Sequence, residues 1–212
     1  IALMSCELIK HKLVLQYSSI WMDTIRNGAF GLTNTNRLVR FYKGCTGLKT
    51  GSTSKAGFCV SATAKRDGMS LICVVMGAEN RDTRNQIATQ LLDWGFANFE
   101  KVTPEIDMSA VSDVRVLKGV EAYITPQLSG LEGLILKSGE KNSLKTKIIL
   151  CEDVEAPVEE NQVLGKIELR LKDKTVAEYN LKAGIAVARI NIFIMAKRII
   201  KSLTKAYDNI NN

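Results

Sequence analysis

The sequence predicts an α+β fold in two unlike parts, closed by an amphipathic helix. Three observations carry this. Residues 1–102 combine helical apolar spacing with a β-hairpin signal, residues 103–182 break into short β-rich runs, and residues 183–212 return to helical spacing. The chain of 212 residues is 46% hydrophobic and 24% charged, an ordinary globular composition that argues against disorder, collagen-like repetition or a disulfide-dense miniature scaffold.

Taken in order, Ala2 to about Tyr17 has apolar residues at helical spacing and predicts one helix. The stretches Asn27–Gly31 and Thr33–Asn36 are rich in turn residues. Phe58–Ala64 and Ser70–Met76 read as two strands joined through Lys65-Arg66-Asp67-Gly68, where Asp-Gly supplies the positive φ that a tight hairpin needs. A helix follows from about Arg81 to Phe99, with Ile87, Leu91, Leu92 and Phe96 expected to face the core.

After Thr103-Pro104 the texture changes, and a domain boundary is expected near residue 102. Val114–Val116, Glu121–Ile124, Leu134–Leu136, Lys145–Leu150, Lys166–Leu171 and Thr175–Tyr179 are β-rich runs, several alternating polar with apolar. Residues 103–182 therefore predict a small antiparallel β-sandwich.

Charge follows the same division. The chain carries a formal +7. Residues 1–98 contribute +6, residues 99–188 contribute −3 and residues 189–212 contribute +4. A basic, an acidic and a basic segment in series argue for separate modules with separate anionic partners. Nucleic acid is not expected, because there is no recognised motif and aromatics make up only 6% of the chain.

The five cysteines, Cys6, Cys45, Cys59, Cys73 and Cys151, form no C-x-x-C pair, and His11 is the one imidazole, so neither a metal nor another cofactor is expected. Cys59 and Cys73 read as small hydrophobes on strands. No run of about 18 apolar residues offers a membrane span. The N-terminus lacks signal-peptide features, and Leu3, Glu7 and Lys10 in helical register predict that the chain starts partway through a larger protein.

Leu48-Lys49-Thr50-Gly51-Ser52-Thr53-Ser54-Lys55-Ala56-Gly57 is the most informative stretch. A Lys, a hydroxyl and a Gly leading into a strand can set an ammonium and a hydroxyl beside an anionic ligand, while the Gly admits another chain to the backbone. Taken alone, the tripeptide reads as an exposed turn before a strand. Its flanks are more particular: Asn36–Gly44 before it, the Ser61–Ala64 strand, Val75-Met76-Gly77 and Leu91–Phe96 after it.

Together these resemble the D-alanyl-D-alanine carboxypeptidases of the low-molecular-mass penicillin-binding class, in their clostridial and bacillar form. The resemblance covers residues 1 to about 100. It extends more weakly to Glu160–Ile167, which is similar to the family's C-terminal β-domain. It implies the C-terminal part of a penicillin-binding, β-lactamase-like peptidase domain, then the β-sandwich, then the helix. It also implies acyl transfer: a serine attacks the penultimate D-alanine carbonyl of a peptidoglycan stem peptide, the terminal D-alanine leaves, and water releases the acyl group. β-Lactams acylate the same serine.

By motif position, Lys49 is then expected on a strand edging the cleft, binding and polarising substrate, with Thr50 on the terminal carboxylate. Gly51 and Thr53 complete the substrate-binding stretch, and the Ser52 backbone N–H is the expected second oxyanion donor. Arg84 falls where the family holds the carboxylate; without the resemblance it reads as a solvated residue on an amphipathic helix. The family's Ser-x-x-Lys and Ser-x-Asn are absent before residue 49. Three formal Ser-x-x-Lys matches, at Ser52, Ser138 and Ser202, lie respectively inside the strand motif, in a polar turn and on the terminal helix. The expectation is a C-terminal fragment that holds one wall of the active site and does not catalyse by itself.

Ile192, Met195, Ala196, Ile199, Leu203, Ala206 and Ile210 recur at helical spacing, widened by Phe193 and Ile200, with Lys197, Arg198, Lys201 and Lys205 opposite. This predicts an interfacial helix on an anionic membrane surface, and the family's usual C-terminal anchor implies attachment to the outer face of the cytoplasmic membrane. The competing reading packs the stripe on the β-module. Two other functions stay open: a serine β-lactamase, against which the β-module and terminal helix argue, and a non-catalytic, membrane-tethered cell-wall binding module.

Overall fold

The computed structural model describes residues 1–197 and 200, which form two compact units: residues 1–102 with 135–139, and residues 103–134 with the described residues from 140 onward.

The first unit opens with two short helices, α1 (Ala2–Leu8) and α2 (Lys12–Ser18), instead of the single helix expected. His11 is extended and starts α2 with no side-chain cap. Tertiary contacts account for the break: Ser5 Oγ meets Ser61 Oγ at 2.7 Å, and Ser18 Oγ donates to the Thr46 carbonyl at 2.6 Å. The chain then makes a hairpin of β1 (Met22–Ile25) and β2 (Phe30–Thr33), turning through Arg26, Asn27 and Gly28, all at positive φ. Helix α3 (Leu38–Phe41) leads to an antiparallel sheet of β3 (Cys45–Thr53), β4 (Gly57–Arg66) and β5 (Met69–Ala78) in the order β3-β4-β5. The β4–β5 hairpin closes with Arg66 opposite Met69, its two-residue turn holding Asp67 at φ 49° and Gly68 at φ 77°. This is the turn that Asp-Gly predicts.

Helix α4 (Arg81–Asn98) is capped by Asn80, whose side chain accepts from the Thr83 N–H at 2.8 Å. It buries Arg84, Ala88, Leu92 and Gly95. Of the four residues expected in the core, Leu92 is 1% exposed and Phe96 packs against that core, but Ile87 is 37% and Leu91 47% exposed, so the buried face is rotated toward Arg84 and Ala88. Small residues allow this orientation, since a Cβ on Gly95 would meet Leu71 Cδ1. Even-numbered β4 residues Val60, Ala62 and Ala64 join Leu38, Cys73, Val75, Ala88 and Leu92 in one core. Odd-numbered Ser61 faces α1, so helices cover both sheet faces. Arg66 lies over the rings of Tyr42 and Phe96, each centroid 4.5 Å away.

Strand β6 (Phe99–Val102) follows α4 directly. The second unit holds β7 (Val114–Leu117), β8 (Tyr123–Ile124) and β9 (Pro126–Leu128); β10 (Leu134–Lys137) then pairs with β6. Strands β11 (Leu144–Leu150), β12 (Asp153–Glu155), β13 (Val163–Leu171) and β14 (Lys174–Ala183) complete it. One sheet runs β11-β13-β14-β9 and the other β12-β7-β8. Leu164 and Ala183 of the first sheet share a core with Val114, Val116 and Ile124 of the second, which makes the arrangement a sandwich. One pair departs from the antiparallel pattern: β12 lies parallel to β7, flanked by the Arg115–Asp153 and Lys118–Glu155 ion pairs.

Asn191 caps a final helical segment at 192–197, accepting from the Ile194 N–H at 2.9 Å. Phe193 is 81% exposed. Lys197 lies on this segment, while Arg198, Lys201 and Lys205 lie outside the described residues. No helix among the described residues is long and apolar enough to cross a membrane.

Candidate functional site

The Lys-Thr-Gly stretch lies on β3, the edge strand of its sheet, with Lys49 opposite Ser61, Thr50 opposite Val60 and Gly51 opposite Cys59. Adjacent strand residues project to opposite faces, so Lys49 and Thr50 bound the strand from two sides. A cleft of about 480 Å³ runs along this edge, lined by Lys49, Thr50, Gly51, Ser52 and Arg84 together with Trp21, Thr33, Asn34, Thr35, Arg37, Phe58 and Arg81. Four cationic side chains and no carboxylate are among these lining residues, so the cleft wall carries positive charge.

The Lys49 ammonium donates to the Thr50 carbonyl at 2.6 Å. Thr50 is 8% exposed, and its hydroxyl meets that of Thr35 at 2.7 Å. Gly51 has open space where a Cβ would stand, which leaves room for a ligand to approach the backbone. Thr53 does not line the cleft: its hydroxyl accepts from the Ala56 N–H at 2.9 Å and holds the turn between β3 and β4.

Arg84 is buried, at 3% exposure, and is not the solvated helix residue that sequence alone allows. Asn85 Oδ1 accepts from its Nε at 3.2 Å and its Nη2 at 3.0 Å, and its Nη1 reaches the Cys59 carbonyl at 3.5 Å. Burial, and then neighbouring Arg81, lowers its pKa from the usual arginine value. It forms no ion pair among the described residues, so a buried guanidinium stands beside the cleft without a carboxylate of its own. Arg37 pairs with Asp82 at 3.3 Å across exposed surface and lies over the Phe41 ring.

The strand is held by a strap that sequence reasoning took only for a turn. Asn34 Nδ2 donates to the carbonyls of Ser18 and Ile20 at 3.2 and 2.9 Å, and Asn34 Oδ1 accepts from the Asn36 N–H at 2.9 Å. Asn36, fully buried, donates to the Gly47 carbonyl at 3.0 Å and accepts from the Leu38 N–H at 3.2 Å. The repeated Asn-Thr-Asn-Arg at 34–37 was the available signal: alternating side-chain amides and hydroxyls tie neighbouring backbone segments together. No group of three or more possible metal ligands occurs among the described residues.

Residues 1–80 match a family model described as D-alanyl-D-alanine carboxypeptidase, and residues 99–189 match one described as penicillin-binding protein 5, C-terminal domain. D-alanyl-D-alanine carboxypeptidase DacF of Bacillus subtilis is 32% identical over 208 residues, covering 96% of this chain and 54% of that protein. D-alanyl-D-alanine carboxypeptidase DacC of Escherichia coli is 31% identical over 71% of this chain and 40% of its own length. Penicillin binding protein 5 from Haemophilus influenzae superposes with a TM-score of 0.70 at 28% identity, over 89% of this chain and 55% of that one. The chain thus spans about half the length of these relatives.

Proposed function

Because the chain belongs to the D-alanyl-D-alanine carboxypeptidase family through residues 1–80 and carries that family's C-terminal β-domain in residues 99–189, we propose that it supplies the carboxylate-binding wall of a serine-type carboxypeptidase. The substrate is a peptidoglycan stem peptide ending in D-Ala-D-Ala. No Ser-x-x-Lys precedes Lys49, so none of these 212 residues is assigned as the attacking serine.

In this reading the terminal carboxylate lies between the Thr50 hydroxyl and the Arg84 guanidinium, and Lys49 binds and polarises the reacting amide. The backbone N–H of Ser52 donates to the oxyanion that forms when the serine attacks the penultimate carbonyl. The terminal D-alanine leaves as the amine, and water cleaves the ester. β-Lactams present a carboxylate and a strained amide in the same relation, and they acylate the same serine. The cleft lining carries the proposal: Lys49, Thr50 and Arg84 border one space whose other charged lining residues, Arg37 and Arg81, are cations.

Localisation follows from substrate. The protein acts outside the cytoplasmic membrane, and its terminal segment, with Ile192 and Phe193 76% and 81% exposed and Lys197 beside them, attaches it to the anionic outer face.

Fluorescent penicillin tests the division of labour. The 212-residue chain is expected to take no covalent label, whereas a longer product of the same gene is labelled at an upstream serine. Labelling at Ser52, Ser138 or Ser202 would overturn the assignment of the nucleophile. Failure of the longer product to label would favour a non-catalytic wall-binding module.

A further inference from the structure

Thr35 appears in no signature of the reaction, yet its hydroxyl is hydrogen-bonded to that of Thr50 at 2.7 Å inside the cleft. A hydroxyl has one proton to donate and two lone pairs to accept with. The single bond between these two oxygens uses the proton of one of them, and without ligand either can donate. A carboxylate only accepts. For Thr50 to bond to a carboxylate, its proton must point at the ligand, and the Thr35 proton must then fill the bond between the threonines.

We propose that Thr35 is a positioning residue that orients the Thr50 hydroxyl as a donor and so tunes the cleft for a carboxylate terminus over a neutral one. This rests on the carboxylate reading of the cleft given above. Thr35 is suited to the task because its backbone cannot drift. It sits between Asn34, tied to Ser18 and Ile20, and Asn36, buried and tied to Gly47 on the same strand as Thr50. Donation from Thr35 also polarises the Thr50 O–H, which strengthens its bond to an anion.

The test has two arms on the 212-residue protein. In the first, N-acetyl-D-alanyl-D-alanine and its C-terminal amide are titrated against wild type, Thr35→Val and Thr35→Ser, followed by amide NMR shifts. Thr35→Val is expected to weaken the carboxylate peptide about twofold to fivefold, because Thr50 loses its fixed orientation and the polarisation of its O–H, while the bond between the threonines is made in free and bound states alike. It should leave the amide peptide unchanged, and Thr35→Ser should restore wild-type affinity. Unchanged affinity in Thr35→Val, equal weakening of both peptides, or no rescue by serine would each overturn the proposal.

The second arm needs no ligand. Scalar couplings report whether Thr50 keeps one χ1 rotamer; one rotamer is expected in wild type and Thr35→Ser, and averaging in Thr35→Val. A Thr50 fixed equally in all three overturns the positioning role. If wild type binds both peptides alike, the carboxylate reading of the cleft falls, and the couplings still decide whether Thr35 holds Thr50.

Discussion

The Tyr42 phenol donates a 2.7 Å hydrogen bond to Asp93 Oδ1, joining the segment just before the Lys-Thr-Gly strand to the far half of α4. Arg66 reaches the same Asp93 oxygen at 3.8 Å while lying over the Tyr42 ring. Burial, reinforced by the bond to Asp93, raises the Tyr42 pKa well above its usual value near 10.

The sign of the pH dependence follows. Below about pH 10 the phenol is protonated in folded and unfolded chains alike, and its contribution to stability is constant. Above that, the unfolded chain releases the proton while the folded one retains it, so stability falls as pH rises. Tyr179, also raised by burial, acts in the same direction in the other unit. Urea unfolding followed from pH 9 to 11 should show this loss in the first unit, and Tyr42→Phe should flatten it. An identical pH slope in Tyr42→Phe would contradict the assignment.

Leu92 and Ile87 separate the observed face of α4 from the expected one. Leu92→Ala removes a side chain only 1% exposed and should cost about 2–5 kcal/mol in chemical denaturation. Ile87→Ala, at a site 37% exposed, should cost less than about 1 kcal/mol.

Asn36 is the keystone of the strap. Asn36→Ala leaves the buried Gly47 carbonyl only the weak Cys45 thiol as side-chain donor and the Leu38 N–H without its acceptor, a loss of about 1–3 kcal/mol of stability. Asn36→Asp keeps the acceptor but sets a carboxylate against that carbonyl, and it should be at least as destabilising. Thermal melts of the two variants check the order.

For the terminal segment, co-sedimentation with vesicles containing anionic lipid should fall when Phe193→Ser and Lys197→Glu are combined. Raising the salt should weaken wild-type binding by screening. Binding indifferent to both changes would remove the membrane assignment.

Leu3, Met4 and Met76 are 86%, 68% and 63% exposed, an apolar surface that invites self-association. Leu3→Gln with Met4→Gln should raise the concentration at which light scattering first detects aggregates.

Features set by local chemistry were legible in the sequence. Asp67-Gly68 announced its hairpin, and Lys49-Thr50-Gly51 announced a strand, which borders the basic cleft. Features set by distant partners were not. The interruption between α1 and α2 depends on Ser61 and Thr46. The rotated face of α4 depends on the closeness that Gly95 allows to Leu71. The burial of Arg84 depends on that same helix placement, and the parallel β12–β7 pair joins segments whose sequences carry no sign of their mutual direction. Thr35 and Asn36 were visible only as turn formers, because their partners Thr50 and Gly47 lie 15 and 11 residues further on.

Strand β6 ends at Val102, but the strand beside it, β10, begins at Leu134, after β7, β8 and β9 have been laid down for the other unit. On a ribosome the first unit therefore cannot close when its own continuous sequence has emerged. It waits, with β6 unpaired, until residue 139 is clear of the exit tunnel. Such a long-range pairing slows folding and lengthens exposure to chaperones and proteases. Expression of residues 1–102 alone should yield an unstable product, whereas ending the chain just past Gly139 should restore the missing neighbour of β6.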